Sequence, residues 1–159
     1  MVRKISKTKS RVHTVKTPVS LVLQTVEIKK CSIERRLPRF AAPRGKIESE
    51  LNLNVYFAEG NRGAKGVIGL LSLVLNGKSV VGDEAAPFSI SFEMEGFYRL
   101  DDADTELSES DLTEPLIARI ANELYPLAMM RSSELLSMIG YGGVRLSYGL
   151  EMEKAMQPS

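Results

Sequence analysis

Hydrophobic and polar residues alternate in several runs of the first hundred residues, a pattern typical of strands that bury one face. The clearest run is residues 51–57, LNLNVYF, in which Leu51, Leu53 and Val55 alternate with asparagine. Residues 67–75 are apolar on both faces, which predicts a central strand. Residues 88–95, FSISFEME, again place apolar side chains on one face and serine or glutamate on the other. These runs predict three strands of one antiparallel sheet.

A further strand precedes these three and begins near Val19, with an irregularity in its middle. Its apolar residues occupy one face at positions 26 and 28 and the other face at 31 and 33, which predicts a bulge around Lys29 and Lys30. A second bulge is predicted at Gly96, because the apolar positions change parity to Phe97 after it. Four consecutive strands with short connections predict an antiparallel meander.

The final third of the chain has the period of an amphipathic helix. Thr113 is a suitable N-cap with Pro115 in the first turn, and Gly140 is a suitable C-cap. Pro126 lacks the amide hydrogen that an interior helix position needs, so a kink is expected there. The predicted apolar stripe consists of Leu116, Ile120, Leu124, Leu127, Leu135 and Met138. The predicted fold class is therefore α+β, a four-stranded antiparallel meander with one long C-terminal helix packed on it.

The element order fits a single domain at residues 18–150, between a flexible basic tail at 1–17 and a C-terminal tail at 151–159. Residues 35–45 contain two prolines and are predicted to form a loop. A signal peptide and membrane insertion are not expected, because no apolar run approaches the ~20 residues that cross a membrane. Cys31 is the only cysteine, so an internal disulfide is excluded and the cytoplasm is the expected compartment.

The net charge of +1 hides an asymmetry along the chain. Residues 1–46 contain 13 basic and two acidic residues, a net charge of +11, whereas residues 47–159 contain 8 basic and 18 acidic residues, a net charge of −10. A basic arm of this kind is one way to bind nucleic acid. Residues 1–17 lack the aromatic side chains that stack on bases, which favours a solvated tail. Nucleic-acid binding through the basic N-terminal segment is therefore the alternative function.

The residue types that carry catalysis or metal binding are sparse in this chain. His13 is the only histidine and lies in the predicted tail, and Cys31 is expected to be a small buried side chain. The acidic residues at 101–111 do not match a calcium loop, because Leu107 falls where an EF-hand requires glycine. The chain is predicted not to be an enzyme and to use no cofactor or metal. A small enzyme on an unfamiliar fold would need an activity that no residue pattern indicates.

Four segments, taken in order, carry a resemblance to a known family. They are QTVEIKKCSIERR at 24–36, LNLNVYFA at 51–58, FSISFEMEGFYRL at 88–100 and ELYPLAMMRSSELLSMIGYGGVRL at 123–146. The last segment is the most specific, because it joins an aromatic-proline pair in a helix to a glycine turn and a short extended stretch. Over about residues 20–147 the chain resembles the bacterial export chaperone SecB and its diverged SecB-like relatives.

The resemblance implies a function and an assembly as well as a fold. It implies a homodimer or homotetramer that binds unfolded polypeptides without ATP, as in protein export with the motor SecA or in protection of an antitoxin. The helix methionines suit this function because methionine is flexible and polarisable, although core filling explains them equally well. The candidate client contacts are Leu37, Phe40, Met129, Met130, Met138, Tyr141, Leu146 and Tyr148.

Overall fold

The computed structural model describes residues 19–37, 45–58, 66–79, 86–101 and 106–146. Its elements are strands β1 (Leu21–Arg35), β2 (Gly45–Phe57), β3 (Gly66–Ser79) and β4 (Phe88–Leu100), a 3-10 helix (Glu109–Asp111) and helix α1 (Glu114–Met138). The predictions for the two tails, for His13, for Phe40 and for Tyr148 lie outside the described residues.

The four strands form one antiparallel sheet in the order β1-β4-β3-β2. The predicted antiparallel sheet with one long helix is confirmed, and β3 is central as expected. The predicted meander holds only for β2, β3 and β4, because β1 pairs with β4, from Leu21 opposite Leu100 to Arg35 opposite Phe88. This is the order of a Greek key. It places β3 and β4, whose helix-facing side chains are all buried, in the middle and leaves β1 and β2 as edges.

The bulges lie on β1 and not on β4. The register of β1 against β4 shifts between Ile28 and Lys30, which confirms the predicted irregularity in the middle of this strand. The predicted bulge at Gly96 is wrong, because Gly96 and Tyr98 are both buried and the alternation of β4 continues through them. The second shift lies across from this region, at residues 23–25 of β1. An edge strand can absorb such shifts because one of its sides has no strand to pair with.

A pair of glycines lets α1 approach the sheet closely. Gly69 and Gly96 lie directly opposite each other on β3 and β4. A Cβ atom on Gly69 would lie 2.7 Å from Cγ2 of Ile120, and one on Gly96 would lie 2.7 Å from Cδ2 of Leu124. β4 therefore keeps its alternation at Gly96, where the helix-facing position has no side chain. Ile120 and Leu124 of α1 fill the space above the two glycines.

The ends of α1 follow the predicted signals. Thr113 occupies the N-cap position, although its side chain makes no capping hydrogen bond. Gly140 has a φ of 86°, the left-handed conformation that glycine adopts without strain. The amide of Gly140 donates to the Ser137 carbonyl at 3.1 Å, and the amide of Tyr141 donates to the Leu136 carbonyl at 2.7 Å. These two bonds form a Schellman motif, which ends the helix and turns the chain back over the sheet.

The buried face of α1 is a row of residues spaced by four, made of Leu116, Ile120, Leu124, Ala128, Ser132 and Leu136. The first three were predicted. The predicted stripe departs from this row at Leu127 and Leu135, which are half-buried, and at Met138, which is 80% exposed. The row continues through small residues, and the buried Ser132 hydroxyl donates to the Ala128 carbonyl at 2.9 Å. That bond satisfies a polar group that would otherwise be costly to bury.

Candidate functional site

A concave surface lies between the start of β2, the end of β3, the second half of α1 and the segment after α1. We call it the main cleft, and its volume is about 570 Å³, which lies within the range of protein ligand pockets. Its lining residues are Gly45, Lys46, Ile47, Ser49, Leu75, Gly77, Lys78, Pro87, Phe88, Tyr125, Met129, Tyr141, Gly143, Val144, Arg145 and Leu146.

The inner wall of the main cleft is an aromatic pair held by three elements. The rings of Phe88 and Tyr141 lie 4.8 Å apart at an angle of 56°, a favourable tilted arrangement. Gly77 makes room for this pair, because a Cβ atom there would lie 2.7 Å from the Phe88 ring. The Tyr141 hydroxyl donates to the carbonyl of Leu37 at 2.7 Å. The wall is thus anchored on β4, on the end of α1 and on the residues after β1.

The rest of the main cleft combines buried and half-buried apolar side chains. Tyr125 and Met129 from α1 are buried, and burial raises the pKa of Tyr125, which keeps its hydroxyl neutral. Ile47, Val144 and Leu146 are only half-buried. The surface that these three side chains leave exposed is the apolar area that a bound molecule would cover.

The structure brings three of the candidate client contacts together in the main cleft. These are Met129, Tyr141 and Leu146. Leu37 lies beside them, and its link to the cleft is its backbone carbonyl, which receives the Tyr141 hydroxyl.

Met130 lies in a different cavity, which we call the side cleft. Its volume is about 340 Å³, and it is lined by Val26, Ile28, Met94, Leu127, Met130 and Arg131. Met130 is 43% exposed and Ile28 is 47% exposed, and Val26 extends the exposed apolar surface along β1. Met138 lines neither cleft. The helix methionines therefore do not form one surface.

The β2 half of the main cleft was missed by the sequence predictions. The loop was predicted to extend to Gly45 and the next strand to begin at Leu51, whereas β2 begins at Gly45. Ile47 shares the parity of Leu51 and Leu53, so an alternating pattern extended by four residues would have found it. The serine at 49 interrupts the apolar series, which hid this continuation.

The basic side chains in the middle of β1 are neutralised by acidic neighbours. Lys29 contacts Glu27 at 3.3 Å and Glu95 at 3.4 Å, and Lys30 contacts Glu93 at 3.3 Å. The hydrogen bond to Glu27 and the charge of Glu95 raise the pKa of Lys29. Exposed pairs of this kind contribute little stability, but they cancel the local charge.

The described part of the chain does not assemble a metal-binding group. Within those residues, no three His, Cys, Asp or Glu side chains are close enough to hold a metal ion. The expectation that Cys31 is buried is wrong, because it lies on the exposed middle of the edge strand β1. Among the described helices, none is long and apolar enough to span a membrane.

Comparison with known proteins finds similarity in structure and not in sequence. No family model matches the chain, and no curated protein matches it. The SecB-like chaperone Rv1957 of Mycobacterium tuberculosis, in complex with a ChAD peptide from the Rv1956 HigA1 antitoxin, superposes with a TM-score of 0.66 at 12% identity over 80% of this chain and 89% of that one.

A protein of unknown function from Streptococcus agalactiae matches with a TM-score of 0.46 at 12% identity, over 77% of this chain and 91% of that one. That score supports no inference about this chain. The match to Rv1957 covers most of both chains and includes the sheet and the long helix. The chain therefore has the fold of a SecB-like chaperone.

Proposed function

We propose that this protein is an ATP-independent chaperone that binds unfolded or non-native polypeptides in the main cleft and is not an enzyme. The observation that carries the proposal is the main cleft itself, in which the half-buried Ile47, Val144 and Leu146 adjoin a fixed aromatic wall. An unfolded chain offers apolar side chains that a folded protein hides, and such a cleft can cover them.

The chemistry of the cleft suits many different sequences. Met129 lines the cleft and can adjust its shape, because methionine has three rotatable bonds and no branch. The wall of Phe88 and Tyr141 is itself buried and fixed by the ring contact, so it gives rigid support beside the half-buried side chains that a client would cover. A rigid wall beside an adaptable side chain supports binding with little demand on client sequence.

The structural neighbour supports a polypeptide as the ligand. Rv1957 has this fold and is seen with an antitoxin peptide. By analogy, the clients proposed here are polypeptides, either exported chains that pass to SecA or an antitoxin held from degradation or aggregation. The free thiol of Cys31 is exposed, which fits a reducing compartment, so the proposal places the protein in the cytoplasm.

The side cleft is proposed as a subunit interface. Val26 and Ile28 on β1 form, with Met130 on α1, an apolar surface that a second copy would cover. A symmetric contact through this surface gives a homodimer, and a second contact elsewhere would give a homotetramer. A single SecB-like domain at residues 18–150 is the proposed folding unit of each copy.

The test of the proposed function is an aggregation assay with a chemically unfolded client, together with sizing of the free protein. Equimolar protein is expected to suppress light scattering, and Val144→Asp is expected to weaken this suppression because it places a charge in the cleft. Ser91→Asp is the control, since Ser91 is exposed on the far face of β4. Unchanged aggregation with equimolar wild-type protein would refute the proposal.

Nucleic-acid binding stays the alternative function. Among the described residues of the basic segment, Lys29, Lys30 and Arg36 pair with acidic neighbours, which lowers the charge that they offer to a phosphate. Binding to DNA or RNA would weaken steeply as salt rises, whereas apolar client capture would not. A titration with single-stranded DNA at low and high salt separates the two functions.

A further inference from the structure

The charges around the main cleft are of one sign. Three basic residues, Lys46, Lys78 and Arg145, are among the described residues that line it, and no acidic residue is. Lys46 and Arg145 form no ion pair with any described residue. Lys78 pairs with Glu48, so Lys46 and Arg145 are the two basic residues of the cleft lining whose charge has no acidic partner among the described residues.

The arrangement of these basic residues carries a cost in stability. Lys46 and Lys78 lie directly opposite each other on β2 and β3, and like charges at opposed positions of a sheet repel. The next pair along the two strands, Ile47 opposite Gly77, faces the helix side of the sheet. The lysines therefore flank the apolar floor, and Arg145 lies on the segment that forms the facing wall.

The lysines of β1 differ from Lys46 and Arg145 at the main cleft. Lys29 lies 3.3 Å from Glu27, and Lys30 lies 3.3 Å from Glu93. Lys46 and Arg145 have no such acidic partner among the described residues, so their charges stay available to a ligand.

We infer that the main cleft prefers extended polypeptide segments in which acidic residues flank an apolar core. This inference rests on the proposed function and names the class of client. The apolar core would cover Ile47, Val144 and Leu146, while flanking carboxylates would lie near Lys46 and Arg145. Complementary charge of this kind mainly raises the association rate and selects among clients of equal hydrophobicity.

The test uses two labelled peptides with the same apolar core, one flanked by aspartate and glutamate and the other by lysine. Fluorescence anisotropy with the full-length protein at low salt is expected to give on the order of tenfold tighter binding of the acidic peptide. The difference should shrink at high salt, where the Debye length falls to ~3 Å.

Two double variants identify the source of the preference. Lys46→Gln with Arg145→Gln should remove most of it while leaving binding of the apolar core. Lys30→Gln with Arg99→Gln removes the same charge from exposed positions away from the cleft and should leave the preference intact.

The outcomes separate this inference from the proposed function. If neither peptide binds, the proposed function itself fails. If both bind equally, or if the lysine-flanked peptide binds more tightly, polypeptide binding stands and the acidic preference is wrong. If the preference persists in the cleft variant, its assignment to Lys46 and Arg145 of the main cleft is wrong. Competition with a single-stranded oligonucleotide gives a further check. If the oligonucleotide displaces the labelled acidic peptide as effectively as the unlabelled acidic peptide does, the cleft recognises negative charge alone and the preference for acidic polypeptides is overturned.

Discussion

The two edges of the sheet expose apolar surface in different ways. β1 is irregular, with two register shifts, and it presents Val26 and Ile28 on an open surface beside Met130. β2 pairs with β3 in unbroken register and adjoins a concave cleft with an aromatic wall. An open apolar surface suits one fixed partner of matching shape, whereas a cleft with an adaptable side chain suits changing partners. From this difference we propose that assembly uses the β1 edge and that client binding uses the β2 edge.

The largest expected effect comes from a substitution beneath α1, in the central strands that pair with both edge strands. Gly96→Val would force atoms into the space of Leu124 and should destabilise the fold by about 3 kcal/mol through overpacking. Ser91→Val on the exposed face of the same strand should change stability by less than about 0.5 kcal/mol. Urea unfolding of both variants measures the difference. Equal stabilities would mean that α1 does not rest on the glycine pair as described.

The next effect breaks the β1 edge alone. Ile28→Asp places a charge in the proposed subunit interface and should weaken association by roughly 2 kcal/mol, about thirtyfold in the dissociation constant. Met138→Asp is the control, because Met138 is exposed and lines neither cleft. Sedimentation equilibrium compares the two variants. An unchanged assembly in Ile28→Asp would remove β1 from the interface.

A smaller effect tests whether clients contact the main cleft and not the exposed Met138 at the end of α1. Leu146→Ser should weaken client binding by about 1 kcal/mol, because it removes half-buried apolar area from the main cleft. Met138→Ser should leave binding unchanged if clients use only the main cleft, although Met138 was itself a candidate contact from the sequence. Isothermal titration with an unfolded client measures both. Equal losses would show that the client also contacts the end of α1.

The smallest effect concerns the ion pair between Glu34 and Arg36 at the end of β1. The hydrogen bond and the charge of Arg36 lower the pKa of Glu34 from 4.5. A lowered pKa means that the pair stabilises the fold above the ordinary pKa and that this contribution is lost as the pH falls through the lowered value. NMR titration should place the Glu34 midpoint below 4.5 and return it to the ordinary range in Arg36→Gln. A Glu34 midpoint that is the same in the wild type and in Arg36→Gln would mean that the two side chains are not paired in solution.

The sheet could be predicted from the sequence because alternation is a local property. Residues 51–57 and 88–95 show it directly, and the β1 irregularity was visible in the same way. The pairing of β1 with β4 could not be predicted, since the choice of a partner strand depends on which faces the whole fold must bury. The predicted bulge at Gly96 was wrong for a related reason, because the space beside this glycine is filled by Leu124 from a distant element.

Half of the candidate site could be predicted. Met129, Tyr141 and Leu146 lie on a contiguous stretch with distinctive residues, and the structure gathers them in one cleft. The β2 half was missed, because Ile47 follows a proline-rich stretch and Ser49 interrupts the alternation between Ile47 and Leu51. The separation of Met130 and Met138 from the cleft follows from the helix row passing through Ala128 and Ser132, two small residues that hydrophobicity alone does not select.

The most direct test of client binding in the main cleft uses a single fluorescent label. With Cys31→Ser as background, an environment-sensitive dye is attached at Val144→Cys in the cleft or at Met138→Cys outside it. Addition of an unfolded client is expected to shift the emission at position 144 to the blue and to leave position 138 unchanged, because only the cleft becomes dry on binding. A shift at 138 without one at 144, under conditions where the client is bound, would contradict the assignment of the main cleft as the binding site.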